Sequence, residues 1–135
     1  RFARPAARLA EARWLAAHGT RALIDVSDGL AADARHVAAA GGVRLALDPA
    51  ALPLHPGADA AAALASGEEY ELLAVAPTPL DAGAFAAAHD GLPLTCIGRV
   101  EAVGADGAGV SLIEPARGGG AARVEIPPGH DHFST

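Results

Sequence analysis

The chain is predicted to fold as one α/β domain of the α+β type, spanning residues 1–135, with a mixed β-sheet and helices packed mainly on one face. Three observations lead there. Helical and strand-like stretches alternate over residues 5–90, short strands around glycine-rich turns follow from Val103 onward, and a chain of 135 residues is long enough for one real core. Hydrophobic residues make up 51% of the sequence but aromatic residues only 4%. That core should therefore be built from Leu, Val, Ile and Ala, with helices packed closely.

Each element follows from local chemistry. Pro5 suits the first turn of a helix that continues to Ala17 and is stopped by His18-Gly19-Thr20; Leu9, Ala12, Leu15 and Ala16 form its apolar face. Residues 22–26 read as a strand. A helix follows from Gly29 to about Ala40, with Leu30, Ala34 and Val37 as its apolar stripe and Gly41-Gly42 in the usual C-terminal position. Residues 43–48 alternate as a half-buried strand, and residues 49–56, with three prolines, form a connection. Residues 59–65 are helical until Ser66-Gly67, residues 70–75 form a strand, and residues 77–90 form a loop and an alanine-rich helix. Another strand is expected over residues 92–100. Residues 110–113 and 123–126 are short strands around Gly118-Gly119-Gly120, which is a turn rather than a phosphate loop because no helical pattern follows it. There is no internal repeat and no long linker.

Charge and cysteine content narrow the function. A net charge of −6 supplies no basic field for nucleic acid, so a phosphorylated ligand would have to arrive with cations. The lone Cys96 cannot form an intramolecular disulfide and is expected in the core. No signal-peptide or membrane-spanning pattern is present, and a cytoplasmic setting is the simplest expectation. Because the sequence starts at Arg1 and has no Met, it is expected to be part of a larger chain.

The most informative stretch is Ile24-Asp25-Val26-Ser27-Asp28-Gly29-Leu30, where an apolar strand turns into a helix. Alternation sends Asp25 and Ser27 to the same face, while Asp28 stands at the helix start. Two carboxylates and a hydroxyl beside a helix N-terminus suit Mg²⁺ and phosphate, since Mg²⁺ takes one or two carboxylates together with water and phosphate oxygens, and helix N–H groups favour an anion. Asp25 and Asp28 should then share a hydrated Mg²⁺ or hold adjacent ions. The competing use is structural, with Asp28 as an N-cap and Asp25 as a polar strand end. Against it, Asp25 follows Leu23-Ile24 directly, where a carboxylate is costly to bury unless it is paired or bound to metal. A serine-hydrolase role for Ser27 fails for lack of a Gly-x-Ser-x-Gly elbow. Glu68-Glu69-Tyr70-Glu71 is a second acidic group, placed where a helix gives way to a strand. His130-Asp131-His132 has metal-like spacing but no His or Cys partners to complete a zinc site.

In order and spacing, Arg4-Pro5, Ile24 to Asp33, Leu52-Pro53-Leu54, Gly67-Glu68-Glu69-Tyr70-Glu71-Leu72-Leu73, Ile97-Gly98-Arg99-Val100 and Gly129-His130-Asp131-His132-Phe133 resemble the C-terminal half of the thiamine-monophosphate kinase family. That family belongs to the superfamily of aminoimidazole ribonucleotide (AIR) synthetase and selenophosphate synthetase. The resemblance implies an AIR synthase-like C-terminal domain, a missing N-terminal ATP-binding domain, and a full-length homodimer. It further implies transfer of the γ-phosphoryl group of ATP to thiamine monophosphate with Mg²⁺. Asp25 and Asp28 correspond to metal ligands and Ser27 to a nucleotide contact. Glu68 falls on the substrate-binding acidic motif, with Glu69 where that motif usually has Asp, so either acid stands as the substrate contact. His130 occupies a position by the substrate that is usually aromatic. Phosphoryl transfer asks a protein for positioning and charge neutralisation, and clustered carboxylates supply both without a nucleophilic Ser or Cys. Two other readings stay open at this point: a different ATP-using member of the superfamily, and a non-catalytic binding or assembly fragment.

Overall fold

Aspartates begin several of the short elements and glycines end them. The computed structural model describes residues 7–54, 56–65, 71–115 and 121–125. In chain order these form α1 (Leu9–Ala17), β1 (Ala22–Asp25), α2 (Leu30–Gly41), β2 (Arg44–Leu47), a 3-10 turn (Pro49–Ala51), α3 (Ala60–Ala65), β3 (Leu72–Val75), α4 (Ala82–Ala88), β4 (Gly98–Glu101), β5 (Gly109–Pro115) and β6 (Ala121–Glu125). Asp48 Oδ1 accepts from the Ala50 N–H at 2.9 Å, Asp59 Oδ1 from Ala62 at 2.6 Å and Asp81 Oδ1 from Ala84 at 2.9 Å. Each bond satisfies a donor that the first turn leaves open. At the other end, α2 stops where Gly42 adopts the left-handed conformation (φ 58°, ψ 41°).

The strands form two sheets among the described residues, where the sequence pattern pointed to one. β1 pairs with β3 as an antiparallel ribbon, and the larger sheet has the order β4-β2-β5-β6. It is mixed, as expected: β2 runs antiparallel to β4 and parallel to β5, and β5 runs antiparallel to β6. β2 is buried at all four positions rather than alternately. It lies between two neighbours, with Leu45 and Leu47 in the core. On the opposite face Ala46 is short, and Arg44 lies down with Nη1 donating to the Gly107 carbonyl at 2.9 Å.

Helix α2 joins the two sheets, touching β1 and β3 as well as β2 and β5. Its buried face is Ala31, Ala34, Val37 and Ala38, with Leu30 partly buried, packed in one cluster with Val26, Leu45, Leu47, Leu73 and Val110. Small side chains let the helix approach closely, and each fully buried Leu or Val contributes roughly 1.5–3 kcal/mol. This packing places the start of α2, and hence the turn leaving β1, at a fixed point of the fold.

Three expectations are corrected. On α1 only Leu15 of the expected apolar face is buried; Leu9 is 63% exposed. Trp14 makes the attachment instead, stacking on His18 and meeting Phe85 of α4 edge-on at a centroid distance of 5.2 Å. The strand expected over residues 92–100 begins only at Gly98, consistent with Pro93, which has no N–H to give a ladder. Cys96 therefore lies in an irregular approach to an edge strand and is exposed, not part of the core.

Arg8 spans two elements. Its Nη1 lies 3.2 Å from Glu11 Oε1 and its Nη2 lies 2.9 Å from Glu71 Oε1. A hydrogen bond from its own backbone N–H, reinforced by Arg8 and opposed by burial, holds the Glu11 carboxyl below the usual range. A lowered folded-state value means that the stabilisation is present above the unfolded value and lost as pH falls through the folded one. Acid unfolding of the wild type should thus steepen below about pH 4.3, and Glu11→Gln should flatten that limb in pH-dependent melts. Identical pH dependence of the two proteins would contradict the assignment.

Candidate functional site

Alternation continues for two residues beyond β1: Asp25 is exposed, Val26 is buried, and Ser27 is exposed. Val26 joins the core, and its N–H donates to the Glu71 carbonyl at 2.8 Å. With this anchor inside, Asp25 and Ser27 both turn outward, as the strand pattern required. Asp28 follows and is also exposed. It does not act as a cap, because the N-cap of α2 is Gly29 and no side chain closes the first turn. Its carboxylate is therefore not spent on the first turn of α2, whose N–H groups have no side-chain cap.

Gly29 is required by geometry. Its φ of 111° and ψ of 143° belong to a region open essentially to glycine, and a Cβ there would stand 3.1 Å from the Ala65 carbonyl oxygen at the end of α3. The chain makes its turn under that carbonyl. Asp33, one turn into α2 and only 2% exposed, reaches back to it: Asp33 Oδ2 accepts from the N–H of Ser27 at 3.0 Å and of Asp28 at 3.1 Å.

Asp28, Asp33 and His36 each offer one ligand atom, all within 4.8 Å of one another. Asp25 is not a member of this group; it lies on the strand side of the turn. The carboxylate oxygens suit a hard cation such as Mg²⁺, whereas an imidazole nitrogen is a softer donor better suited to transition metals. Asp33 and His36 were not singled out from the sequence. The available signal was their three-residue spacing in the first turns of a helix that starts at an acidic strand end.

Glu68, Glu69 and His130 lie outside the described residues, as does His132. The last residue of that acidic run is described: Glu71 accepts from Val26 through its carbonyl and from Arg8 through its carboxylate. β1 and β3 are antiparallel, with Asp25 opposite Leu72. The chain therefore enters β3 at the end of the ribbon where β1 leaves it.

No protein-family model matches the chain. Among curated proteins it is 46% identical over 79 residues to a thiamine-monophosphate kinase of Mycobacterium tuberculosis (strain CDC 1551 / Oshkosh), covering 50% of this chain and 24% of that one. The thiamine-monophosphate kinase of Escherichia coli (strain K12) is 34% identical over 145 residues, covering 100% of this chain and 42% of that one. The chain thus spans less than half the length of these relatives. Among solved structures, AaThiL complexed with AMPPCP and TMP superposes with a TM-score of 0.62 at 31% identity, covering 81% of this chain and 35% of that one. The mixed α+β architecture is shared with these kinases and is AIR synthase-like. By sequence and by backbone, this chain is related to the C-terminal part of thiamine-monophosphate kinases.

Proposed function

We propose that this domain supplies the C-terminal half of the active site of a kinase that phosphorylates thiamine monophosphate to thiamine diphosphate with Mg-ATP. The observation that carries this reading is the turn after β1: two exposed aspartates and an exposed serine at an uncapped helix start, in a fold shared with a protein solved with AMPPCP and TMP. The carboxylates fit Mg²⁺, with Asp25 and Asp28 as ligands of one hydrated cation or of two adjacent ones. When bound, the cation neutralises phosphate charge that a carboxylate-lined site would otherwise repel. Ser27 offers a hydroxyl to the nucleotide phosphates, and the first N–H groups of α2 face the same anion.

The acidic run enters through the ribbon. The Asp25–Leu72 register and the Val26–Glu71 hydrogen bond support one cleft in which Glu68 or Glu69, near the start of β3, reads the cationic thiamine ring system while the metal-binding turn holds phosphate. In-line transfer needs reacting atoms about 3–3.5 Å apart, which two unrelated loops would not provide. His130 is assigned the substrate contact that the family usually gives to an aromatic residue. The partner domain of the same chain is N-terminal to this one and carries further metal-binding acids, and the whole enzyme is a cytoplasmic homodimer. No helix among the described residues is long and apolar enough to cross a membrane.

Incubating the intact chain with thiamine monophosphate, ATP and Mg²⁺ should yield thiamine diphosphate, whereas the 135-residue segment alone should yield none, because the charge-neutralising groups of the other domain are missing. Absence of product from the intact chain would reassign it to another ATP-dependent reaction of the superfamily. Product from the segment alone would remove the proposed division between domains.

A further inference from the structure

We infer that Asp33 is the positioning residue of this site, holding the Ser27–Asp28 turn in the shape that presents the Asp28 carboxylate and the Ser27 hydroxyl to the ligand. The inference rests on the kinase reading for what the turn binds, but not for how the turn is held. Asp33 is 2% exposed, and a carboxylate so deeply placed is costly unless its charge is satisfied. Its Oδ2 accepts two backbone N–H groups, from Ser27 at 3.0 Å and Asp28 at 3.1 Å. The positive end of α2 adds a favourable field. Hydrogen bonds to an ionised acceptor are about twice as strong as neutral ones.

The position of these bonds explains their use. Gly29 separates the turn from the helix and has no side chain to limit its own dihedrals. Asp33 brackets it: the Asp33 N–H donates to the Gly29 carbonyl at 3.0 Å while its carboxylate holds the two residues before. Asp33 in turn is fixed by the core, since the adjacent Ala34 is 0% exposed. A rigid helix thereby sets the orientation of two exposed side chains. Without the brace the turn would be tethered on one side only, through Val26.

Two substitutions in the intact kinase separate positioning from direct metal binding. Asp33→Ala removes the acceptor, and since a misplacement of about 1 Å can cost roughly 100-fold in rate, kcat should fall by about that factor with the KM for thiamine monophosphate changed far less. Asp33→Asn keeps an oxygen that can accept both N–H groups and should recover most of the lost rate and the wild-type Mg²⁺ requirement. In hydrogen exchange by mass spectrometry or NMR, the Ser27 and Asp28 amides should exchange faster in Asp33→Ala than in Asp33→Asn, while the β2 and β5 amides stay protected in both. Equal loss of rate in both variants, or Ser27 and Asp28 amides as protected in Asp33→Ala as in wild type, would overturn the inference. If Asp33→Ala does not fold, Asp33→Asn decides: a rate and Mg²⁺ requirement near wild type support positioning, and a collapse of both refutes it. If the wild-type chain makes no thiamine diphosphate, the kinase reading fails alone, and exchange at Ser27 and Asp28 still decides the role of Asp33.

Discussion

If the intact protein is the kinase proposed above, replacing Asp25 or Asp28 by Asn in it is expected to lower kcat by roughly two to three orders of magnitude while leaving the fold in place. Removing a metal ligand from a phosphoryl-transfer site forfeits a few kcal/mol of transition-state stabilisation, and each ~1.4 kcal/mol is tenfold in rate. The amide keeps the shape of the side chain and removes the charge proposed to hold the cation. Stability should change by no more than about 0.5 kcal/mol, because both side chains are exposed and neither caps α2. Steady-state kinetics at several Mg²⁺ concentrations, with thermal melts of the same preparations, measure both quantities. Near-normal turnover in both variants would remove the turn from the metal site. A large loss of melting temperature would make these carboxylates structural.

Gly98→Ala is expected to be the most damaging small substitution in the sheet, costing about 3 kcal/mol of stability. Gly98 pairs with Leu47 across the β2–β4 ladder, and an added Cβ would collide with the carbonyl oxygen of Ala46, with the Leu47 Cα and the Ala46 carbonyl carbon also close. All three are backbone atoms of a strand held on its other edge by β5. A flexible side chain could swing aside; a central strand cannot move without breaking its second ladder. The junction is tight from the other direction too, since the Asp48 N–H donates to the Ile97 carbonyl at 2.8 Å. Urea unfolding of the variant beside wild type gives the loss directly. A change below about 0.5 kcal/mol would show that β4 can lift away from β2 at little cost.

Gly98 also shows how much a sequence can say. The run Ile97-Gly98-Arg99-Val100 carries part of the family resemblance, yet composition and periodicity give no reason for its glycine. The reason is a carbonyl from a segment about fifty residues earlier in the chain, at Ala46. Element types fared well where they depend on neighbours along the chain: the Ala-rich helices, the glycine after α2 and the period of two through Asp25, Val26 and Ser27 are local chemistry. The expected half-burial of β2, the apolar face of α1 and the core position of Cys96 failed. Each depends on which distant segment lies alongside: β4 and β5 for Arg44–Leu47, α4 for Trp14, and an edge position for the approach to Gly98.

The same division runs through the site. Sequence by itself determined that two aspartates and a serine leave an apolar strand at a helix start, which side of the strand two of them occupy, and which kinases the pattern resembles. These follow from covalent geometry and short-range spacing. Only the tertiary structure decided that Asp28 is not the cap of α2, that Gly29 turns beneath the Ala65 carbonyl, that buried Asp33 braces the turn, and that the end of the acidic run lies against Val26. Whether a carboxylate is used up by the backbone or left for a ligand depends on which N–H groups lie within about 3 Å of it, and packing between segments far apart in sequence sets that distance.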